Sequence, residues 1–385
     1  MKRPEMSEVI LMASLSLILA ILFLIPTGFS RHIYYNAVSA PAKVLSCDNS
    51  SIYSTGLFSQ GEQSCIVTVL QGPHRGENLR AINMLSGSLA DDKVFSPGDT
   101  AWILIERNDE GAPVSTIMID HFRLLKELAL ASVFIILMWL FAGSTGLRTV
   151  FSFMLAFLVI WKVLVPGCLH GLDPLFLSIA VLLFLNCSTI LLVSGVGRRS
   201  YAAITGSIIS DLFICIFGYA VTRWFHLDGA VLPMSESLLY AGFPGLNLTG
   251  LFIGVMTLSS GGAVMDLSID VAAAMKEVHD HDPSAPSLSL FRSGMAVGRA
   301  GVGTQTTTLL LAYMGNYMSV MMVYMAQATP ISNILTSKAI AAELVQTAIG
   351  CTGLILVTPV TAVVASFFLK GNEKKLDRSP KPCEK

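Results

Sequence analysis

Eight apolar runs separated by short polar breaks dominate this chain and restrict it to one class of architecture. A run of about 18 or more apolar residues crosses the hydrocarbon of a bilayer as a helix, because in lipid every backbone polar group must be satisfied within the segment. The first run, "EVILMASLSLILAILFLIPTG", follows Lys2 and Arg3. The others fall at about 127–142, 148–166, 172–195, 201–222, 238–262, 302–327 and 340–369. The first has an apolar core longer than the roughly 7–15 residues of a signal peptide, and reads as an uncleaved anchor. The last exceeds one span, and Pro359 within it predicts a kink. Composition agrees with a membrane protein: hydrophobic residues make up 53% and charged residues 13% of the 385 residues, against about 25% charged in a soluble domain. A net charge of -1 without a clustered basic face argues against nucleic acid as a partner.

Positive loops stay in the cytoplasm, which sets the orientation. With eight spans and an inside N-terminus, the cytoplasmic side receives Lys2, Arg3, Arg148, Arg198, Arg199, Lys276, Arg292 and Arg299, and the Lys- and Arg-rich tail after Lys370 joins them. The short outer loops keep little more than Arg223 and Lys338. The expected class is therefore an α-helical polytopic membrane protein of about eight spans with a small extracytoplasmic β-rich domain after the first. Its parts are an anchor at 1–29, the outer domain at 30–122, a seven-span domain at 123–370 and a cytoplasmic tail at 371–385. Both termini are expected inside a bacterial cell membrane.

The outer segment carries strand-like runs, "CIVTVLQG" and "TAWILIER", punctuated by the turn clusters "QGPHRGEN", "SPGDT" and "NDEGAP". That pattern predicts a small β-barrel or sandwich. Cys47 and Cys65 are its only cysteines, and outside the membrane they are either a disulfide or two buried thiols. Cys168, Cys187, Cys215 and Cys351 lie in or beside spans, where a small packing role is the default. No spacing suggests zinc, and the loop "HDHDP", with His279 and His281, reads as a polar loop before it reads as a metal site.

Polar groups inside hydrocarbon are costly, so each is a candidate for function. Asp211 lies in the middle of "SYAAITGSIISDLFICIFGYAV", with Ser207, Cys215 and Gly218 at helical spacings from it. It faces protein or water, either as part of a pathway or as a structural hydrogen-bond partner. Ser259 and Ser260 precede Gly261 and Gly262. Such a pair either breaks a helix and exposes ion-coordinating backbone, or lets a neighbouring helix approach closely. Beyond it, Asp266, Asp270 and Glu277 mark the polar face of an amphipathic helix expected at the cytoplasmic surface, with Asp266 nearest the membrane. Glu343 opens the last span with Lys338, as an interfacial ion pair or as a buried carboxylate; Gln346 and Thr347 follow.

The stretch "GRAGVGTQTTT" has the glycines of a phosphate loop but lacks the Lys that such a loop places after Gly303. Gly294 and Gly298 stand in small-xxx-small spacing. Arg299 is expected at the cytoplasmic edge, with Thr304, Gln305 and Thr308 following inside. The run is a transport-type site or a helix–helix seam, not a nucleotide cradle.

The segments "GGAVMDLSIDVAAAMKEV" and "LFRSGMAVGRAGVGTQTTTLLLAYMG" resemble the signature of the YibE/F-like family of bacterial multi-spanning membrane proteins. The layout of anchor, outer segment ("AKVLS…IVTVLQGPHRGE…FSPGD") and seven further spans resembles it too. The resemblance implies an integral membrane architecture and a permease. The family usually carries an Asp after the Gly-Arg and an Asn in the Thr run, whereas this chain has Ala300 and Thr307, so the role of that Asp is not carried over.

These residues predict a secondary transporter, driven by an ion or proton gradient because no ATP-binding motif is present. Its pathway would run between the spans at 201–222, 238–262, 302–327 and 340–369. Asp211, Ser259, Ser260, Asp266, Arg299, Thr304, Gln305, Thr308 and Glu343 are its candidate residues. The alternative is a receptor or envelope assembly scaffold acting through the outer domain. Neither enzyme chemistry nor a cofactor is expected. The expected partners are the lipid bilayer, a small solute or ion, and either a second copy of the chain or an envelope protein.

Overall fold

The computed structural model describes residues 6–29 and 36–370. Lys2, Arg3 and the tail expected at 371–385 lie outside the described residues. The chain divides into two compact units, Gly28–Leu140 and Met1–Thr27 with Phe141–Lys385.

The first unit holds a closed barrel of five strands, β1 (Ala37–Ser54), β2 (Ser59–Val69), β3 (Asn78–Ser86), β4 (Thr100–Arg107) and β5 (Pro113–His121), followed by the start of a long helix. Their order around the barrel is β1-β2-β3-β5-β4, antiparallel except where β3 meets β5. This is the Greek-key order of an OB-type barrel, in which one long strand pairs with two neighbours and leaves no free edge. β1 fills that part: its first half pairs with β4 and its second with β2, across bulges near Ser46 and Ser51. Gly61 permits the bend. It has a φ of 118°, and a Cβ there would sit 2.1 Å from the Ser51 carbonyl oxygen.

Alternation along the strands sends Ala42, Val44, Cys65, Val67, Ala81, Ile103, Ile105 and Met118 into one core. Phe95, from the β3–β4 loop, closes it. Two buried amides hold that loop in place. Gln63 Nε2 donates to the Phe95 carbonyl at 2.9 Å and to Asn49 Oδ1 at 2.8 Å, while Gln63 Oε1 accepts from Phe95 N at 3.0 Å and from Asn83 Nδ2 at 3.1 Å. Cys47 and Cys65 are directly opposite in the β1–β2 register. Their sulfurs are 2.6 Å apart, as free thiols. Burial, and then the neighbouring Cys47 thiol, push Cys65 up to about 12.

The rest is helical: α1 (Met6–Leu24), α2 (Leu124–Val159), a π-helical turn (Ile160–Leu164), α3 (Val165–Leu169), α4 (Pro174–Ser194), α5 (Arg198–Trp224), α6 (Ser235–Tyr240), α7 (Leu248–His281), α8 (Ser287–Asn316), α9 (Met318–Ala326), α10 (Ile331–Thr336) and α11 (Lys338–Lys370). Caps fix several starts: Asp173 accepts from Leu175 N at 2.9 Å to open α4, and Asn247 accepts from Gly250 N at 2.9 Å to open α7. Among the described residues, five helical stretches are long and apolar enough to cross a membrane, and six if α8 and α9, bent by 56°, form one broken span.

The runs at 127–142 and 148–166 lie in two helices that meet at a kink at Gly143 (φ 58°, ψ -129°) within the stretch Leu124–Leu169. The first run forms a short apolar helix, Ile10–Leu24. It buries Leu15 and Leu22 in a cluster that also holds Leu155, Leu158 and Val181. The expected span at 238–262 is helical in α7 only from Leu248, after the end of α6 and a loop, and from there it runs without a break through the expected amphipathic surface helix as one 34-residue helix. Pro359 lies inside a continuous α11.

Candidate functional site

α5, α7 and α11 pack together as the centre of the helical unit, with α4 against α5 and α7, and α8 against α7 and α11. Small residues set these approaches. A Cβ on Gly206 of α5 would sit 2.1 Å from Thr361 Oγ1 of α11. On Gly218 it would sit 2.3 Å from Met256 Cε of α7, and on Gly254 2.5 Å from Ser178 Oγ of α4.

Asp211 occupies the middle of α5 and is 2% exposed. It sits there because Ser207, Ser210, Ile214, Cys215 and Gly218 share its buried side of the helix. Its Oδ2 accepts a hydrogen bond from the Asn186 amide of α4. Its Oδ1 is equally buried and has no hydrogen-bond partner among the described residues. The hydroxyls on the same side of α5 are turned into their own helix: Ser207 donates to the Ile204 carbonyl at 3.0 Å and Ser210 to Gly206 at 2.9 Å, while the buried Thr361 hydroxyl of α11, against Gly206, has no partner among the described residues. The result is a lone carboxyl in a close-packed core, held at one oxygen and open at the other. Asn186 is the residue that sequence reading missed, although an amide inside the apolar run at 172–195 carried the signal.

The Ser259–Gly262 stretch does not break its helix. α7 runs through it, with Ser260 and Gly261 buried as packing surface. Ser260 Oγ faces Tyr313 Oη of α8 at 3.5 Å, and a Cβ on Gly350 of α11 would meet Ser260 Oγ at 2.6 Å. Close approach, not exposed backbone, is what these residues provide. Ser259, on the exposed side, donates to Val255 O at 2.8 Å.

Ser259, Gly262, Asp266 and Asp270 are all exposed and follow one another along the face of α7 that turns out of the bundle. Asp266 is thus not on a separate surface helix but lies within α7. On α8 the glycines and the hydroxyls part company. Gly294 and Gly298 are buried: their Cβ positions lie 2.5 Å from Met275 Sδ and 2.1 Å from Thr358 Cγ2. Thr304, Thr307 and Thr308 are exposed and donate to Gly301, Gly303 and Thr304 carbonyls at 3.0, 3.2 and 3.1 Å. Gln305 is half-buried between the two faces. The whole "GRAGVGTQTTT" stretch is helix interior, so its N–H groups are committed to the helix ladder and form no phosphate cradle. Arg299 is exposed and sits well inside α8, not at its start.

Glu343 does not pair with Lys338. That lysine bonds Asp228 Oδ2 at 2.6 Å, while Glu343, partly buried, lies beside Tyr317 at the α8–α9 bend. The candidates thus separate into a buried centre (Asp211, Ser260), an exposed polar face (Ser259, Asp266, Arg299, Thr304, Thr308), Gln305 between the two, and Glu343 at the bend. Among the described residues no three His, Cys, Asp or Glu side chains converge to hold a metal ion.

The sequence profile of the YibE/F-like protein family matches residues 130–371, which takes in every helix of this site. The chain belongs to that family. No curated protein and no solved structure matches it. Membership agrees with the apolar helices in marking a membrane protein, and the profile begins within α2, leaving strands β1 to β5 outside it.

Proposed function

We propose that this YibE/F-like protein is a secondary transporter of the bacterial plasma membrane, in which Asp211 couples the movement of a small solute to an ion or proton gradient. The observation that carries the reading is a carboxyl at the middle of an apolar helix with one oxygen unpartnered. A lone carboxylate in such a core is expensive to retain, and a purely structural role is better met by an amide. The bend between α8 and α9, with Glu343 and Tyr317 beside it, supports a pathway along α7, α8 and α11. In this reading α1, the two parts of Leu124–Leu169 on either side of Gly143, α4, α5, α7, the α8–α9 pair and α11 make eight crossings. Both termini are then cytoplasmic and the barrel lies outside.

Protein reconstituted into liposomes with a dye for internal pH would be offered panels of inorganic ions and small organic acids. The expected result is a solute-dependent gradient change that Asp211→Asn abolishes while the variant still inserts and folds. If Asp211→Asn moves the same solutes as the parent protein, the coupling role is overturned.

The barrel favours a second reading, a receptor or envelope scaffold, because Tyr53, Leu57 and Met84 are exposed on it at 77%, 80% and 66%. Under that reading Asp211→Asn leaves function intact, whereas polar substitutions at Tyr53 and Met84 remove it.

A further inference from the structure

We propose that Asp211, positioned by Asn186, is a proton-binding site and not a metal-cation site. One proton binds at Oδ1 and leaves from it, while Oδ2 keeps its hydrogen bond from the Asn186 amide. This deepens the transport reading by naming the coupling ion, and it rests on that reading only in taking Asp211 as the coupling residue.

The first argument is the absence of further acidic ligands: a hard cation takes about six oxygens, commonly with more than one carboxylate among them, and among the described residues no three His, Cys, Asp or Glu side chains converge. Asn186 offers Asp211 its NH2, a donor. α5 and α7 are unbroken here, so their carbonyls belong to the helix ladder. One carboxylate whose Oδ2 already holds an amide donor suits a proton better than a hard cation.

The second argument is charge. On α5 the nearest cations are Arg199 and Arg223, each twelve residues from Asp211, or about 18 Å along the helix. α4 has no charged residue, and its one titratable group, Cys187, is next to Asn186. On α7 the first charged residue is Asp266, on the outward face, and the first cation is Lys276, engaged with Asp280. α11 has no charged residue between Glu343 and Lys370. The Cys215 thiol, one turn along α5, lies beside Thr257 of α7. Among the described residues no cation therefore faces Asp211 to balance its charge, and a proton does so at no cost in space.

The test is infrared difference spectroscopy of the full-length protein in lipid nanodiscs, which reads the carboxyl without any substrate. Expected is a protonated-carboxyl C=O band at neutral pH, present in the parent protein and lost in Asp211→Asn. It moves to higher frequency in Asn186→Leu, where the polarising donor is gone, and does not respond to added sodium, potassium or magnesium chloride at fixed pH. If Asp211→Asn fails to accumulate, Asp211→Glu keeps a carboxyl one methylene further out and should shift the band. A band bleached by a cation at constant pH, or no Asp211-dependent band at any pH, overturns the proposal. The two readings fail separately. A cation-sensitive band leaves transport standing with a different ion, whereas a proton-carrying Asp211 in a protein that moves no solute sinks transport alone.

Discussion

Gly298 and Gly303 lie in one stretch of α8, five residues apart, and the structure assigns them opposite surroundings. A Cβ on Gly298 would stand 2.1 Å from Thr358 Cγ2, 2.7 Å from its Oγ1 and 2.9 Å from its Cβ, whereas one on Gly303 would meet nothing within 4 Å. Thr358 is β-branched, stiff at χ1 and 2% exposed, so it has little room to rotate away. Both Gly→Ala changes gain the same helix propensity, about 0.8–1 kcal/mol, so the difference between them isolates the seam. Overpacking a close-packed contact costs about 1–3 kcal/mol, and Gly298→Ala should be less stable than Gly303→Ala by that amount, about 5- to 150-fold in the folding equilibrium. Reversible unfolding of the detergent-solubilised protein in SDS, followed by circular dichroism, would measure it. Thr358→Ala should recover most of the loss in the Gly298→Ala background and little in the Gly303→Ala background. Equal stability of the two single variants would refute the α8–α11 seam.

In an oxidising compartment Cys47 and Cys65 should form a disulfide; closing their 18-residue separation would add about 3 kcal/mol in the chain-entropy model, and two free thiols in mass spectrometry of unreduced protein would count against it. Gln63→Leu should lower barrel stability by about 1–3 kcal/mol, because the Phe95 N–H and C=O lose their buried partner; hydrogen exchange at residues 87–99 should rise with it. Acid should weaken the barrel as well. Hydrogen bonds from Ser86 N and Gly87 N hold Asp92, and Arg123 holds Asp120, below the usual carboxylate range. Folded values below unfolded ones give stability that is present above about pH 4 and lost as pH falls through the folded values, and Asp92→Asn should blunt that loss in a pH series of thermal melts. Finally, a cysteine at Gln71 should react with an impermeant reagent from outside and one at Ser379 only after permeabilisation; labelling of both from one side would overturn the orientation.

Periodicity and polarity along the chain specify a good deal here. The apolar runs mark where helices must lie, because no water is available to satisfy any other backbone. Alternation and turn chemistry in "CIVTVLQG" and "TAWILIER" mark strands, and a carboxyl ten residues from either end of an apolar run marks Asp211 for burial. What a one-dimensional pattern cannot supply is the neighbour. Ser259 to Gly262 permit a break or a close contact, and it is Tyr313 and Gly350, 53 and 90 residues on, that make Ser260 a contact. Lys338 stands five residues from Glu343, yet its partner is Asp228, because the loop before α6 comes to the start of α11. The Gly and Thr residues of "GRAGVGTQTTT" alternate too tightly to be separated by eye, and only the packing of Thr358 against Gly298 shows which side is seam and which is surface. Asn186 matters for the same reason. Its sequence neighbours on α4 are lipophilic, and its significance comes from a partner 25 residues away on α5, since a hydrogen bond depends on distance in space, which the order of residues does not encode.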